Sequence, residues 1–238
     1  MNNLEQVRAL LFDVFGTVVD WRSSIVRELE MFGQEHGIER DWTAFGDAWR
    51  GLYQPSMEAV RSGTRPWTIL DTLHRESLDT LLAEHGITGL TEARTDHLNR
   101  AWHRLTPWPD SVLGLTRLKT RYTLATLSNG NIALLVNMAK NAGLPWDAIL
   151  GAEPAQAYKP LPEAYLRTAG FLGLEPHQCL MVAAHNNDLE HASALGLRTA
   201  FVCRPTEYGP EQSADLTATG NWDIVTESMT GVADALGI

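Results

Sequence analysis

Short apolar runs alternate along the chain with longer stretches in which apolar residues recur every three or four positions. The runs "VRALLFDVF", "YTLATLS", "AILG", "CLMVAA", "TAFVCR" and "WDIV" are bounded by polar or turn residues, a pattern that predicts strands. The segments "SVLGLTRLKTR", "IALLVNMAKNAG", "PEAYLRTAGFLG" and "DLEHASALG" carry the helical period, and the last three stop at Gly. From Asp110 onward strand and helix alternate, which right-handed crossovers fold into a doubly wound parallel sheet. Between Asp20 and Thr106 no strand pattern stands out. Helical patterns dominate there, as in "SSIVRELEMFGQEHG", "WTAFGDAWRGLYQPSMEAVRSG" and "WTILDTLHRESLDTLLAEHG". The predicted architecture is α/β: residues 1–19 and 107–238 form the sheet core, and residues 20–106 form an inserted helical cap domain.

Composition narrows the function classes. A chain of 238 residues, 44% hydrophobic, is long enough to bury a sizeable core. Its net charge of -10, with no basic run, argues against nucleic acid or an anionic membrane as partner, because both select clustered Lys and Arg. No apolar run approaches the roughly 18 residues of a membrane span, and "MNNLEQVRA" lacks a signal peptide's basic start. The expected location is cytoplasmic. Cys179 and Cys203 lie in or beside strand-like runs and are expected to be buried free thiols.

Ligands of open parallel sheets bind beyond the carboxyl ends of the strands. Asp13 and Thr17 follow the first run. Ser128 and Asn129 follow "YTLATL", Lys159 follows "AILG", and His185, Asn186, Asn187 and Asp188 follow "LMVAA". Singly, each has a structural reading: Asp13 a turn, Thr17 and Ser128 caps, Asp188 a helix N-cap, Lys159 a surface lysine. Four segments delivering a carboxylate, hydroxyls, an amide, an ammonium and an imidazole to one edge argue for a site.

In order and spacing, "FDVFGTVVD", "TLSNGN", "YKPLPEAY" and "AAHNNDLEHASALGLRTAFV" resemble the four motifs of the haloacid dehalogenase superfamily. "DVFGT", "AWR" and Tyr165 resemble its L-2-haloacid dehalogenase branch. The resemblance implies a Rossmann-like core under a helical cap, a homodimer, and no cofactor or metal. It also implies that Asp13 is a nucleophile supported by Thr17, and that Arg50 faces the halide or the substrate carboxylate. Ser128 and Asn129 would bind the substrate carboxylate and line the halide site. Lys159 would hold Asp13 ionised, with Tyr165 and Asp188 behind it; Tyr165 has a core-packing reading as well. Asn186 joins the expected substrate and halide site through the extra donors of "HNND".

Two departures sharpen the expected chemistry. Phosphoryl transfer asks for an acid two residues after the nucleophile, and Phe15 stands there; it also asks for Mg²⁺ carboxylates, of which "AAHNND" supplies only Asp188. A halide leaves without a proton, so the expected reaction is displacement by Asp13 at the α-carbon of a short 2-haloacid, followed by hydrolysis of the aspartyl ester. The donors of "HNND" extend the range to fluoroacetate. In the branch, a serine and an asparagine commonly stand where this chain has Ala183 and His185. An imidazole is a better base than an amide, so His185 is expected to activate the hydrolytic water, with a structural histidine as the alternative. The rival functions are a Mg²⁺-dependent small-molecule phosphatase and a binding protein without turnover.

Overall fold

The computed structural model describes residues 3–238. Its strands, in chain order, are β1 (Ala9–Phe12), β2 (Val19–Asp20), β3 (Thr106–Pro107), β4 (Thr123–Thr126), β5 (Cys179–Ala183), β6 (Arg198–Val202) and β7 (Ile224–Thr226). Five of them form one parallel sheet in the order β4-β1-β5-β6-β7. β1 is therefore an interior strand, and its carboxyl end opens between those of β4 and β5. Alternate residues feed opposite faces: Leu10, Phe12, Leu180 and Val182 enter one apolar cluster, while Leu11, Met181, Ala183 and Phe201 enter another.

β2 and β3 pair antiparallel and mark where the chain leaves and rejoins the sheet layer. Every regular element between them is helical: α1 (Trp21–His36), α2 (Trp42–Gly51), α3 (Tyr53–Arg61), α4 (Leu70–Glu84), α5 (Glu92–Asn99) and a 3₁₀ turn over Arg100–Arg104. Asp20 and Asp41 begin α1 and α2 by accepting hydrogen bonds from Ser23 N and Ala44 N. The rest of the sheet layer carries α6 (Ser111–Lys119), α7 (Ile132–Ala142), α8 (Ala152–Ala155), α9 (Pro162–Phe171), α10 (Asn186–Ala194) and α11 (Met229–Ala235). Among the described residues, no helix is long and apolar enough to cross a membrane. Cys179 is buried and Cys203 half-buried, both free.

Two expected elements differ. "AILG" makes only isolated bridges, Ala125 to Ala148 and Ser128 to Gly151, instead of a strand. Side chains supplement the few backbone bonds there: Thr126 Oγ1 accepts from Leu150 N and donates to Leu150 O, and Asp147 Oδ2 accepts from Leu124 N. The helix expected across "WTAFGDAWRGLYQPSMEAVRSG" is broken at Leu52. Pro55 has no N–H to donate to the carbonyl of Gly51, four residues earlier, and Gly51 itself weakens the helix. Across the break, the Arg50 guanidinium carbon sits 4.0 Å from the Tyr53 ring centroid.

Candidate active site

Asp13 follows β1 directly and is 6% exposed, enough for one face of its carboxylate to meet the cavity above. Its Oδ1 accepts from Lys159 Nζ at 2.8 Å, and its Oδ2 accepts from Thr17 Oγ1 at 2.7 Å. His185 Nδ1 lies 3.1 Å from the same Oδ2. Thr17 is fixed in turn by Ala184 N, which donates to its Oγ1 at 2.8 Å. Burial alone would raise the Asp13 pKa, but Lys159 and His185 overcome it and hold the carboxyl well below its usual range.

Behind Asp13, Lys159 also bonds Asp188 Oδ2, and Tyr165 Oη donates to Asp188 Oδ1 at 2.6 Å. Burial works against the lysine charge, yet Asp13 and Asp188 hold its pKa above the ordinary value. Burial and the Asp188 carboxylate push the Tyr165 phenol far up, so it stays a donor. The ammonium thus occupies the space between Asp13 and Asp188. Arg61, from α3, donates to the Lys159 carbonyl at 2.9 Å and ties the helical block to this loop.

His185 has a second carboxylate partner that the strand-end reading passed over. Its Nε2 is 2.9 Å from Glu207 Oε2, and Glu207 Oε1 accepts from Trp21 Nε1 at 3.0 Å. Glu207 is 1% exposed and lies in the loop after β6. Gly16 makes room for it: at φ +83°, a Cβ there would sit 2.0 Å from Glu207 Oε1. Burial disfavours an imidazolium, but Glu207 and Asp13 on either side raise the His185 pKa well above its usual value. The two carboxylates favour the charged form of His185, whose Nε2 is hydrogen-bonded to Glu207 and whose Nδ1 lies at ion-pair distance from Asp13.

The opposite wall comes from the helical block. Arg50 lies over the rings of Tyr53, Trp21 and Phe15, at 4.0, 5.1 and 5.9 Å. Such cation–π contacts contribute about 0.5–2 kcal/mol each. Its Nη1 is buried and makes no hydrogen bond among the described residues. Burial opposes the Arg50 charge, while Tyr53, Tyr208, Glu207 and Asp13 favour it and raise its pKa. Phe15, 2% exposed, packs edge-on against Trp102 and forms part of this cradle. Between the walls lies a cavity of about 340 Å³.

Of the residues expected at the site, Asp13, Phe15, Arg50, Asn129, Lys159, Tyr165, His185 and Asp188 line this cavity. Thr17 and Ser128 do not. Thr17 supports Asp13 from behind, and Ser128 is fully buried with its Oγ accepting from Gly130 N. Asn129 uses its Oδ1 on Lys159 N. Asn186 also lies off the cavity: its amide donates to Asp215 Oδ1 and Thr217 O and accepts from Thr219 N and Trp222 Nε1. The loop between β6 and β7 consumes its hydrogen-bonding capacity. Glu207 behind His185, and Tyr53, Tyr208 and Asp215 on the cavity wall, went unassigned from sequence. Glu207 carries the signal that found the others, since it follows the strand run "TAFVCR". Of the aromatics between Asp20 and Thr106, Trp21 and Tyr53 reach Arg50, whereas Trp67 packs in a tilted arrangement on Tyr158 with ring centroids 4.8 Å apart.

A buried carboxylate at a strand end of a parallel sheet, held by a lysine and facing a helical insert, points to a class of hydrolase. The haloacid dehalogenase-like hydrolase model matches residues 7–196, and the chain belongs to that family. The structure of the defluorinating L-2-haloacid dehalogenase Rha0230 is similar at a TM-score of 0.96 and 54% identity, covering 98% of this chain and 96% of that one. The L-2-haloacid dehalogenase PA0810 is similar at 0.94 and 47%, covering 97% and 99%. In sequence, (S)-2-haloacid dehalogenase 4A of Burkholderia cepacia is 26% identical across 97% of this chain and all of its own length.

Proposed function

We propose that the protein hydrolyses short 2-haloalkanoic acids to 2-hydroxy acids through an ester on Asp13, without a metal ion. The observation that carries this reading is Arg50: a half-buried guanidinium whose buried Nη1 has no hydrogen-bond partner among the described residues, set over aromatic rings and lining the cavity of Asp13. It supplies positive charge and a free N–H to the departing halide or the substrate carboxylate. Phe15 in the cradle fits a leaving group that needs no proton. A small cavity fits haloacetates and 2-halopropionates, with residues 20–106 acting as the cap that closes over them.

Asp13 attacks the α-carbon and expels the halide; water then attacks the ester carbonyl, and His185 takes its proton. One displacement inverts the α-carbon once, so an L-2-haloacid gives a D-2-hydroxy acid. Lys159, Thr17 and His185 keep Asp13 ionised and oriented, and Tyr165 and Asp188 hold Lys159. Fluoroacetate falls within the proposed range. Similarity to a defluorinating dehalogenase supports this, as do the cationic and N–H groups that a strongly solvated fluoride requires.

The test is halide release from fluoro-, chloro- and bromoacetate and from both enantiomers of 2-chloropropionate, with and without chelator. Release undiminished by chelator, with the L enantiomer consumed, is the expected result. Loss of activity on chelation would favour the phosphatase alternative, and no release from any substrate would leave a binding protein. A single turnover in ¹⁸O water should place label in the Asp13 carboxylate; label in the product alone would exclude the ester.

A further inference from the structure

His185 lies between two carboxylates, and only one of them survives the first half of the reaction. Its Nδ1 is 3.1 Å from Asp13 Oδ2, which becomes part of a neutral ester, while its Nε2 stays 2.9 Å from Glu207 Oε2. Glu207 has no such change in store. It is 1% exposed, anchored by Trp21 Nε1, and packed where Gly16 leaves space. The other charged and titratable groups around the cavity are Arg50, Lys159, Asp188, Asp215, Tyr53, Tyr165 and Tyr208. None of them loses its charge when the ester forms.

We infer that Glu207 is a positioning residue that makes His185 a two-state proton carrier, with ester formation on Asp13 as the switch. This rests on the aspartyl-ester reading above. In the free enzyme the imidazolium pairs with Asp13 Oδ2 across 3.1 Å and helps keep the carboxylate in place. When Asp13 displaces the halide, its negative charge leaves with the halide, and the Nδ1 proton loses the partner that held it. That proton passes to solvent through the cavity mouth, while the Nε2 proton stays on Glu207. The neutral Nδ1 then accepts a proton from the attacking water as the oxygen bonds to the Asp13 carbonyl carbon. Collapse of the tetrahedral adduct breaks the ester C–O bond, and the water's second hydrogen leaves on the hydroxy acid. Asp13 is again a carboxylate and His185 an imidazolium. One proton is released per turnover, in the first half. A direct transfer from His185 to the halide is excluded by geometry, because the halide departs on the side of the α-carbon away from Asp13.

The inference is tested by following halide, proton and hydroxy acid in single turnovers of bromoacetate, and by rapid-quench analysis of Glu207→Gln. In the wild-type enzyme, proton release should follow halide, ahead of hydroxy acid. In Glu207→Gln, ester hydrolysis should slow at least about tenfold, the loss expected for a weakened general base, and more than halide release does. The acid limb of the hydrolysis rate should also move to lower pH, since the imidazole has lost its remaining carboxylate. Glu207→Asp should restore part of both. A proton that appears with the hydroxy acid would overturn the inference, as would equal slowing of both steps with an unmoved pH limb. Either result would leave the dehalogenase reading intact, which only absent halide release overturns.

Discussion

On the sheet side of the cavity, Asp13, Lys159, Asp188, Thr17, His185 and Glu207 bond to one another in a closed polar network. On the helical side, Arg50 is surrounded by aromatic rings and keeps a buried donor without a partner. A nucleophile must be held still before substrate arrives, so its neighbours are satisfied in advance. An anion site must keep an unpaired donor, at a desolvation cost that packing elsewhere offsets. Under the proposed reaction, the contrast gives the two walls different parts: attack from below, reception of the anion above.

Removing the proposed sheet-side nucleophile should have the largest effect. Asp13→Asn is expected to reduce halide release by about 10⁴-fold or more, with no ester detectable by mass spectrometry. Comparable turnover in this variant would break the division of labour. Next comes the helical wall. Arg50→Lys keeps the charge, but an ammonium cannot lie flat among the rings of Tyr53, Trp21 and Phe15. The expected loss in kcat/KM is about 10²–10³-fold, with an unchanged circular dichroism spectrum; a near-normal value would mean that charge alone suffices.

The smallest effect is on stability. The native His185 pKa is raised, so its contribution is complete below the ordinary imidazole value near 6.5 and lost as pH rises through the native value. Asp13 acts in the opposite sense: its lowered pKa contributes above about 3.8 and is lost as pH falls toward the native value. His185→Asn should therefore flatten the alkaline fall of Tm, by about 2–4 °C per kcal/mol removed. An alkaline limb identical to the wild type would show that the paired carboxylates do not hold the imidazolium.

Much of the sheet and its edge was legible in the chain. Asp13, Lys159, His185 and Asp188 each follow an apolar run or its neighbouring turn, and strand ends of a parallel sheet converge by topology. Glu207 obeys the same rule after β6 and was legible in principle. Asn186 was misassigned for the opposite reason: an amide beside a strand end looks available until the β6–β7 loop folds back and bonds it. The strand expected at "AILG" is reduced to isolated bridges, where the Thr126 and Asp147 side chains add to a few backbone bonds that make no continuous ladder.

Apolar periodicity determined the alternation of strand and helix, the long helical insert, and the residues presented at the sheet's carboxyl edge. These follow from patterns that act over a few residues and from the fixed hand of crossovers. Tertiary structure alone decided which side of His185 meets which carboxylate, that Phe15 belongs to the cradle of Arg50, and that Arg50 keeps one donor free. Those facts depend on segments far apart in the chain, such as Gly16 beside Glu207, whose meeting is set by packing and leaves no local signal in either segment.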